Sequence, residues 1–227
     1  MIIAVAQQFK GHFGIVYQDE DKIAAVTDCI GSYPIFYRSF DHGCNIATFP
    51  NALGTDCTID KSQAKSVMLS GYTVGRGTVF QEISSLGHGE VFFQNGNQKD
   101  YVISQYYKYS PWRESYQSDR NHLKQKLVDA TMQSIERVLQ QASNRQIAVP
   151  LSAGRDSRLV VSALKHLGAK KVTCYSYGPR GNFEGEIAKK ISQSLGFDWV
   201  FVEVSPKIQR KFWKTQIPED YAGQSND

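Results

Sequence analysis

The chain has few cysteines and no long apolar run. These two features argue against a disulfide-stabilised protein and against a membrane-spanning one. Its 227 residues include four cysteines, and no two of them have C-x-x-C spacing. We therefore expect reduced thiols rather than a disulfide framework. No apolar stretch approaches the ~20 residues that cross a bilayer, and no signal-peptide pattern is present, so we expect a cytoplasmic protein with no membrane partner.

Histidine and clustered charge are also scarce. The five histidines are scattered, and none pairs with a cysteine or an acid at metal-ligand spacing, so we expect no structural metal. The formal charge is only +4, and the basic residues of the longest predicted helix are interleaved with acidic ones, as on a solvated surface. We expect no nucleic-acid partner, and the oligomeric state stays open.

The overall composition is that of a globular chain with one or two hydrophobic cores. Hydrophobic residues make up 41% of the sequence and charged residues 21%, and a chain of this length can form either one or two domains. The aromatic, proline-broken stretch Tyr106–Trp112 marks the expected boundary. We therefore expect one domain over residues 1–110 and a second over residues 111–227.

Residues 1–110 predict a β-rich domain. Short apolar runs alternate with turn residues, and they lie at residues 13–17, 23–27, 34–37 and 90–93. The turn sequences at residues 18–21 and 95–97 are typical of β-hairpins. One helix is expected over residues 60–69. The pattern indicates antiparallel strands with a single intervening helix.

Residues 111–227 predict an alternation of helices and strands. An amphipathic helix is expected over about residues 118–144. Strands are expected at residues 147–151, 171–177 and 198–204, and the two helices between them end at Gly168 and Gly196. Asn182 is placed to cap the second of these helices. Strands that alternate with helices of this length indicate a parallel βαβαβ sheet.

The loop after the first of these strands has the residues of an anion-binding site. Residues 152–157 read SAGRDS and open onto a helix, where backbone N–H groups and the positive end of the helix dipole favour phosphate. The loop lacks the Gly-Lys-Ser/Thr ending of a Walker loop, so amides and serine hydroxyls must hold the anion. Asp156 suits such a site only when Mg²⁺ bridges its carboxylate to the phosphates.

This loop resembles the pyrophosphate-binding loop, Ser-Gly-Gly-x-Asp-Ser, of the adenylating ATP pyrophosphatases, and within them the asparagine synthetase family. Ala153 stands where that family has glycine. The resemblance implies ATP and Mg²⁺ as cofactors, with Asp156 as the catalytic and metal-binding residue. It also implies nucleotide contacts by Ser152, Ala153, Gly154, Arg155, Asp156, Ser157, Tyr175, Ser176 and Tyr177.

The first domain resembles the later half of the glutamine-amidotransferase domain that precedes the synthetase domain in that family. The matching segments are residues 27–37, 71–80 and 86–89. Complete members use an N-terminal cysteine as the nucleophile, whereas the first cysteine here is Cys29, so we expect no glutaminase activity. A second pyrophosphate-binding loop of the family is also missing. We therefore expect this chain to be part of a longer protein.

The resemblance implies an α/β fold: an incomplete N-terminal-nucleophile glutaminase-like β domain, followed by a partial Rossmann-like domain of the adenine nucleotide alpha hydrolase type. The implied activity is an AMP-forming ligation of a carboxylate amino acid with ammonia, aspartate to asparagine in the type reaction. Two alternatives stay open, namely activation of another carboxylate and a non-catalytic nucleotide-binding role. A dehydrogenase half is disfavoured because no Gly-x-Gly-x-x-Gly turn follows a strand.

Overall fold

The computed structural model describes residues 2–20, 22–96, 100–111 and 119–215. These residues form two compact units, one within residues 2–111 and the other within residues 119–215. The boundary expected after residue 110 borders residues 112–118, which lie outside the described residues. Within the described ranges, no helix is both long enough and apolar enough to cross a membrane.

The first unit consists of two antiparallel sheets and short helices. One sheet has the strand order β1-β2-β6-β7 and the other has the order β4-β3-β5. The strands are β1 Gly14–Asp19, β2 Lys22–Thr27, β3 Phe36–Phe40, β4 Gly43–Ala47, β5 Ser84–Ser85, β6 Glu90–Asn95 and β7 Tyr101–Gln105. The helices are α1 Ile2–Ala6, a 3₁₀ turn Pro50–Leu53 and α2 Lys61–Ser70.

The predicted β-rich character of this unit is confirmed, and its core explains the alternating pattern. Alternate residues of the central strands point to one face, as the two-residue period of a strand requires. Tyr37, Phe92 and Tyr101 meet there, with the Phe92 and Tyr101 ring centroids 4.9 Å apart. The helix expected over residues 60–69 is present as α2, which Asp60 caps. The short helix α1 was not predicted.

The second unit is a three-stranded parallel sheet with helices. The strand order is β10-β9-β8, and both neighbouring pairs are parallel, as the sequence predicts. The elements are α3 Arg120–Ala142, β8 Ile147–Pro150, α4 Arg155–His166, β9 Val172–Gly178, α5 Phe183–Leu195, β10 Asp198–Glu203 and α6 Pro206–Phe212. The molecule is thus a mixed α/β chain with antiparallel sheets in one unit and a parallel sheet in the other.

The core of the second unit lies on one face of the parallel sheet. Val149, Val161, Leu164, Cys174 and Ala188 are buried together there. The apolar residues of α3 and α4 are only partly buried. Large apolar side chains that stay exposed on these helices include Leu123, Leu127, Val138, Leu159 and Val160. Only part of the apolar surface of each helix finds a partner.

Candidate functional site

The loop of residues 151–154 connects the carboxyl end of β8 to the first turn of α4. Its base is fixed to the neighbouring strand β9. The N–H of Leu151 donates to the carbonyl oxygen of Tyr175 at 2.8 Å, and the hydroxyl of Ser176 donates to the carbonyl oxygen of Leu151 at 2.7 Å. Leu151 itself is buried in the core. The loop therefore starts from a rigid position at the edge of the sheet.

The two loop serines lie side by side. The hydroxyl oxygens of Ser152 and Ser157 are 3.2 Å apart. The Ser157 hydroxyl accepts from the N–H of Ser152 at 3.2 Å, and the Ser152 hydroxyl accepts from the N–H of Gly154 at 3.0 Å. These amides are satisfied by hydroxyl groups, which can rotate toward an entering anion, rather than by fixed carbonyl oxygens. The sequence predicted both serines as part of the site, and the structure brings them together.

The backbone of the loop accommodates alanine at residue 153. Among the described residues other than glycine, Ser143 and Asn144 are those with positive φ. Ala153 is therefore in an ordinary region, where a methyl group causes no strain. Gly154 has a φ of −65°, so a left-handed backbone does not explain its glycine. A Cβ there would lie 3.0 Å from the Ser152 hydroxyl oxygen, and glycine leaves that approach open.

The first turn of α4 supplies donors and charge to the same place. An α-helix leaves the N–H groups of its first turn without acceptors inside the helix, and here those groups belong to Arg155, Asp156 and Ser157. Arg155 and Asp156 are exposed. The guanidinium Nε of Arg158 donates to the Gly154 carbonyl oxygen at 3.1 Å. The start of α4 thus carries two arginines and one carboxylate.

Asp156 is the one carboxylate of the predicted site. No group of three or more metal-ligating His, Cys, Asp or Glu side chains occurs among the described residues. Mg²⁺ keeps several waters and is commonly held by one or two carboxylates together with substrate phosphates. The donor set fits Mg²⁺ bound with a phosphate chain, in which Asp156 contributes a single ligand. It does not fit a resident ion held by protein groups.

The predicted nucleotide residues of β9 fall on two faces of the sheet. Side chains alternate along a strand, so Tyr175 and Tyr177 share one face and Ser176 lies on the other. Tyr177 is 66% exposed, whereas Ser176 is buried and accepts from the indole Nε1 of Trp199 at 3.1 Å. Tyr177 is therefore accessible, whereas Tyr175 is half-buried. Ser176 supports the loop from below, and its contact with a nucleotide stays a prediction.

Sequence reasoning missed two residues that support or flank the loop. Trp199 positions the Ser176 hydroxyl that holds Leu151. Arg180 follows β9 and forms an ion pair with Glu203, with 2.5 Å between Nε and Oε2. The signal for Arg180 was available, because a Gly-Pro-Arg-Gly turn directly follows a predicted strand. Trp199 had no such signal, since its role depends on strand register.

In the first unit, the polar side chain of Asp28 has a structural role beside Cys29. Cys29 lies in a turn directly after β2 and is exposed. Beside it, the buried Asp28 accepts hydrogen bonds from the N–H groups of Phe13 and Ile30 at 2.8 and 2.9 Å. Burial favours a higher pKa for Asp28, but these bonds and those from Ser32 hold the pKa below its usual value. The carboxylate therefore fixes the turn, and it is not an acid poised near neutrality.

A cavity of about 890 Å³ also lies in the first unit, between α1 and the β1-β2-β6-β7 sheet. Its lining is mostly apolar, with Tyr17, Asp19, Lys22 and Ser104 as the polar members. Such a lining suits packing against apolar groups better than the binding of phosphates. We therefore place the candidate site at the loop of residues 151–154.

Comparison with known proteins adds no relative to this description. No family model matches the chain, and no curated protein matches it either.

Proposed function

We propose that this chain carries the nucleotide-binding site of an AMP-forming ligase of the asparagine synthetase type. In the type reaction a carboxylate oxygen attacks the α-phosphorus of ATP, and the bond to pyrophosphate breaks. Ammonia then attacks the activated carboxyl carbon, and AMP leaves. One observation carries the proposal. A serine-lined loop leaves the carboxyl end of a parallel strand and enters the first turn of a helix, the position at which parallel sheets bind phosphates.

The loop is suited to hold the leaving pyrophosphate. The hydroxyls of Ser152 and Ser157 are 3.2 Å apart, so both can donate to oxygens of one phosphate group. The N–H groups in the first turn of α4 lie at the positive end of the helix dipole, and that end stabilises negative charge. Electrostatic stabilisation of charge on the departing group is commonly the largest single contribution to such a transfer.

Asp156 has a separate role in this proposal. Its carboxylate is one residue away from Ser157, so it would repel a bare phosphate chain. When Mg²⁺ accompanies the phosphates, the ion offsets that repulsion and supplies charge neutralisation at the leaving group. Asp156 then orients the phosphate chain through the ion. Arg155 and Arg158 add positive charge at the mouth of the loop.

Tyr175 and Tyr177 are the best candidates for the nucleoside end. Both lie on the sheet face opposite the core, and β9 adjoins the strand that carries the loop. Aromatic side chains with one polar tip bind flat rings by stacking and can donate to a ribose or base. The proposal therefore orients the nucleotide with its phosphates at β8 and its base along β9.

We also propose a specific domain type for each part of the chain. Residues 111–227 correspond to part of a Rossmann-like ATP pyrophosphatase domain, and residues 1–110 to part of a glutaminase-like β domain. Cys29 lies in a turn inside the β-rich unit rather than at an amino terminus. The proposal therefore takes ammonia itself as the nitrogen source and gives Cys29 no role in the reaction.

A non-catalytic nucleotide-binding role is the second candidate. It is favoured by the modest donor set, because Asp156 is the one metal-binding carboxylate of the predicted site and the described residues hold no larger cluster. Both candidates require ATP to bind at the loop. Only the ligase role requires the bound ATP to react with a carboxylate.

The experiment is ATP–pyrophosphate exchange by the full-length protein that contains this chain, with Mg²⁺ and a carboxylate acceptor such as aspartate. We expect exchange with the native sequence and its loss in Asp156→Asn, because the ion no longer has its protein ligand. Asp198→Asn is the matched control, since Asp198 is exposed at the amino end of β10, the opposite edge of the sheet. Undiminished exchange in Asp156→Asn would remove the loop from the mechanism. ATP binding without exchange would favour the non-catalytic role.

A further inference from the structure

Arg180 lies at the same edge of the parallel sheet as the phosphate-binding loop. It follows β9, which ends at Gly178 and pairs in parallel with β8. Parallel neighbours end on the same side of a sheet, and β9 continues to Gly178, past Tyr175, which pairs with Pro150 at the end of β8. The turn that contains Arg180 and the loop of residues 151–154 therefore emerge from adjacent strands.

The turn around Arg180 is held in a fixed shape. The side chain of Asn182 accepts from the N–H of Gly185 at 2.6 Å and donates to the Pro179 carbonyl oxygen at 3.1 Å. Gly178 has a φ of 138°, a conformation that only glycine adopts without strain. Its carbonyl oxygen accepts from the N–H of Val204 at 2.9 Å. Arg180 is thus presented from a preorganised turn.

The guanidinium of Arg180 has donors to spare. Its Nε contacts Glu203 Oε2 at 2.5 Å, and 82% of the side chain is exposed, against 35% for Glu203. A guanidinium has five N–H donors in a planar fork, and this contact engages the one on Nε. The two terminal nitrogens form the edge that binds phosphate and carboxylate oxygens in pairs.

We propose that Arg180 binds the phosphate chain of the nucleotide and that Glu203 positions the guanidinium for it. This inference rests on the proposed function, since it assigns a further residue to the same substrate. The adjacent strand β8 leads into the loop of residues 151–154, so a nucleoside triphosphate bound at that loop would have its phosphate chain on the same side of the sheet as this turn. Glu203 holds Arg180 in place when no anion is bound, and it competes weakly with the anion for the same guanidinium.

The test measures binding of Mg·ATP and of adenosine to the full chain. Arg180→Gln should weaken Mg·ATP binding roughly tenfold, the value of one charge-assisted hydrogen bond, and leave adenosine binding unchanged. Arg180→Lys should recover part of the loss. Glu203→Gln should weaken Mg·ATP binding by a smaller factor than Arg180→Gln, since the guanidinium keeps its charge but loses the carboxylate that positions it. Arg145→Gln is the control, because Arg145 is exposed and directly precedes β8 at the opposite edge.

The outcomes separate this inference from the function on which it rests. If the native chain binds Mg·ATP and Arg180→Gln binds it equally well, the inference is wrong and the proposed function stands. Equal losses for Mg·ATP and adenosine would also overturn it, because they indicate a disturbed turn rather than a lost phosphate contact. If the native chain does not bind Mg·ATP at all, both are overturned.

Discussion

Ala153 and Gly154 show how much a single methyl group matters in the loop. The resembling family has glycine at both positions, yet Ala153 has an ordinary backbone here, so its side chain creates no strain. Gly154 differs, because a Cβ on it would approach the Ser152 hydroxyl oxygen at 3.0 Å. That hydroxyl accepts from the N–H of Gly154 and is part of the candidate site. Of these two positions, residue 153 is therefore the one that tolerates a side chain.

Glu90 is a buried carboxylate whose charge the first unit depends on. It is 7% exposed, and its two oxygens accept from Arg76 at 2.6 and 3.0 Å. The N–H of Gly87 also donates to it at 2.8 Å. Burial alone would raise the pKa of Glu90, but the guanidinium and the amide stabilise the charged form and hold the pKa below its usual value.

We predict that Glu90→Gln lowers the free energy of unfolding by about 1–3 kcal/mol at neutral pH, because Arg76 loses its charged partner. The pKa is lower in the folded state than in the unfolded one, so Glu90 stabilises the fold above its unfolded pKa. That contribution disappears as the pH falls through the folded pKa. Urea unfolding over the acid range should therefore show the native and Glu90→Gln curves converging. Glu20→Gln, in an exposed turn, serves as the control, and a pH-independent gap would contradict the prediction.

At the scale of helices and strands, the sequence identifies where elements begin and end better than what they contact. The cap residues explain this success. Asn182 was expected to cap the helix that follows it, and its side chain accepts from the N–H of Gly185. Gly196 ends that helix in a left-handed conformation with a φ of 71°. Caps and glycine stops act through bonds to near neighbours, so a local pattern is enough to predict them.

Two kinds of contact could not be predicted in the same way: those that depend on strand register, and those that depend on which part of a helix face another element covers. Leu159 and Val160 are apolar residues of α4, yet they are 53% and 38% exposed, while Val161 is fully buried. Periodicity shows that a helix face is apolar, but not which part of it meets another element. The bond between Trp199 and Ser176 depends on the pairing of β10 with β9. The loop of residues 151–154 was visible in the sequence, and the network of hydrogen bonds that supports it was not.

The cap of α5 gives a prediction for a whole element. Asn182→Ala removes both the bond to Gly185 and the bond to the Pro179 carbonyl oxygen. We expect a loss of about 1–2 kcal/mol in the free energy of unfolding and faster hydrogen exchange at the Gly185 amide. Asn182→Asp keeps the acceptor at the helix amino terminus and should recover most of the loss. Equal stability of Asn182→Ala and the native chain would show that α5 begins without this cap.

The whole second unit is organised around one covered face of its sheet. The core cluster lies on the face that contains Val149 and Cys174. The other face presents Tyr177, Val200 and Val202, each between 47% and 66% exposed. Parallel sheets are usually covered on both faces, so this unit has less buried surface per strand than is usual. Local opening of its strand ends should therefore be easier than in a fully covered sheet.

Ligand binding should make local opening of the second unit less frequent and leave the first unit unchanged. A ligand that binds only the folded state stabilises it by about 2.7 kcal/mol when its concentration is one hundred times its dissociation constant. We predict that Mg·ATP slows hydrogen exchange in peptides that contain β8, the loop of residues 151–154 and the first turn of α4. Peptides within residues 2–111 should be unaffected, because the candidate site is built from residues of the second unit. Adenosine alone should slow hydrogen exchange at the carboxyl end of β9 but not in the loop of residues 151–154, since adenosine lacks the phosphates. Protection that appears first in the β-rich unit would place the nucleotide elsewhere, and the assignment of the loop would then be wrong.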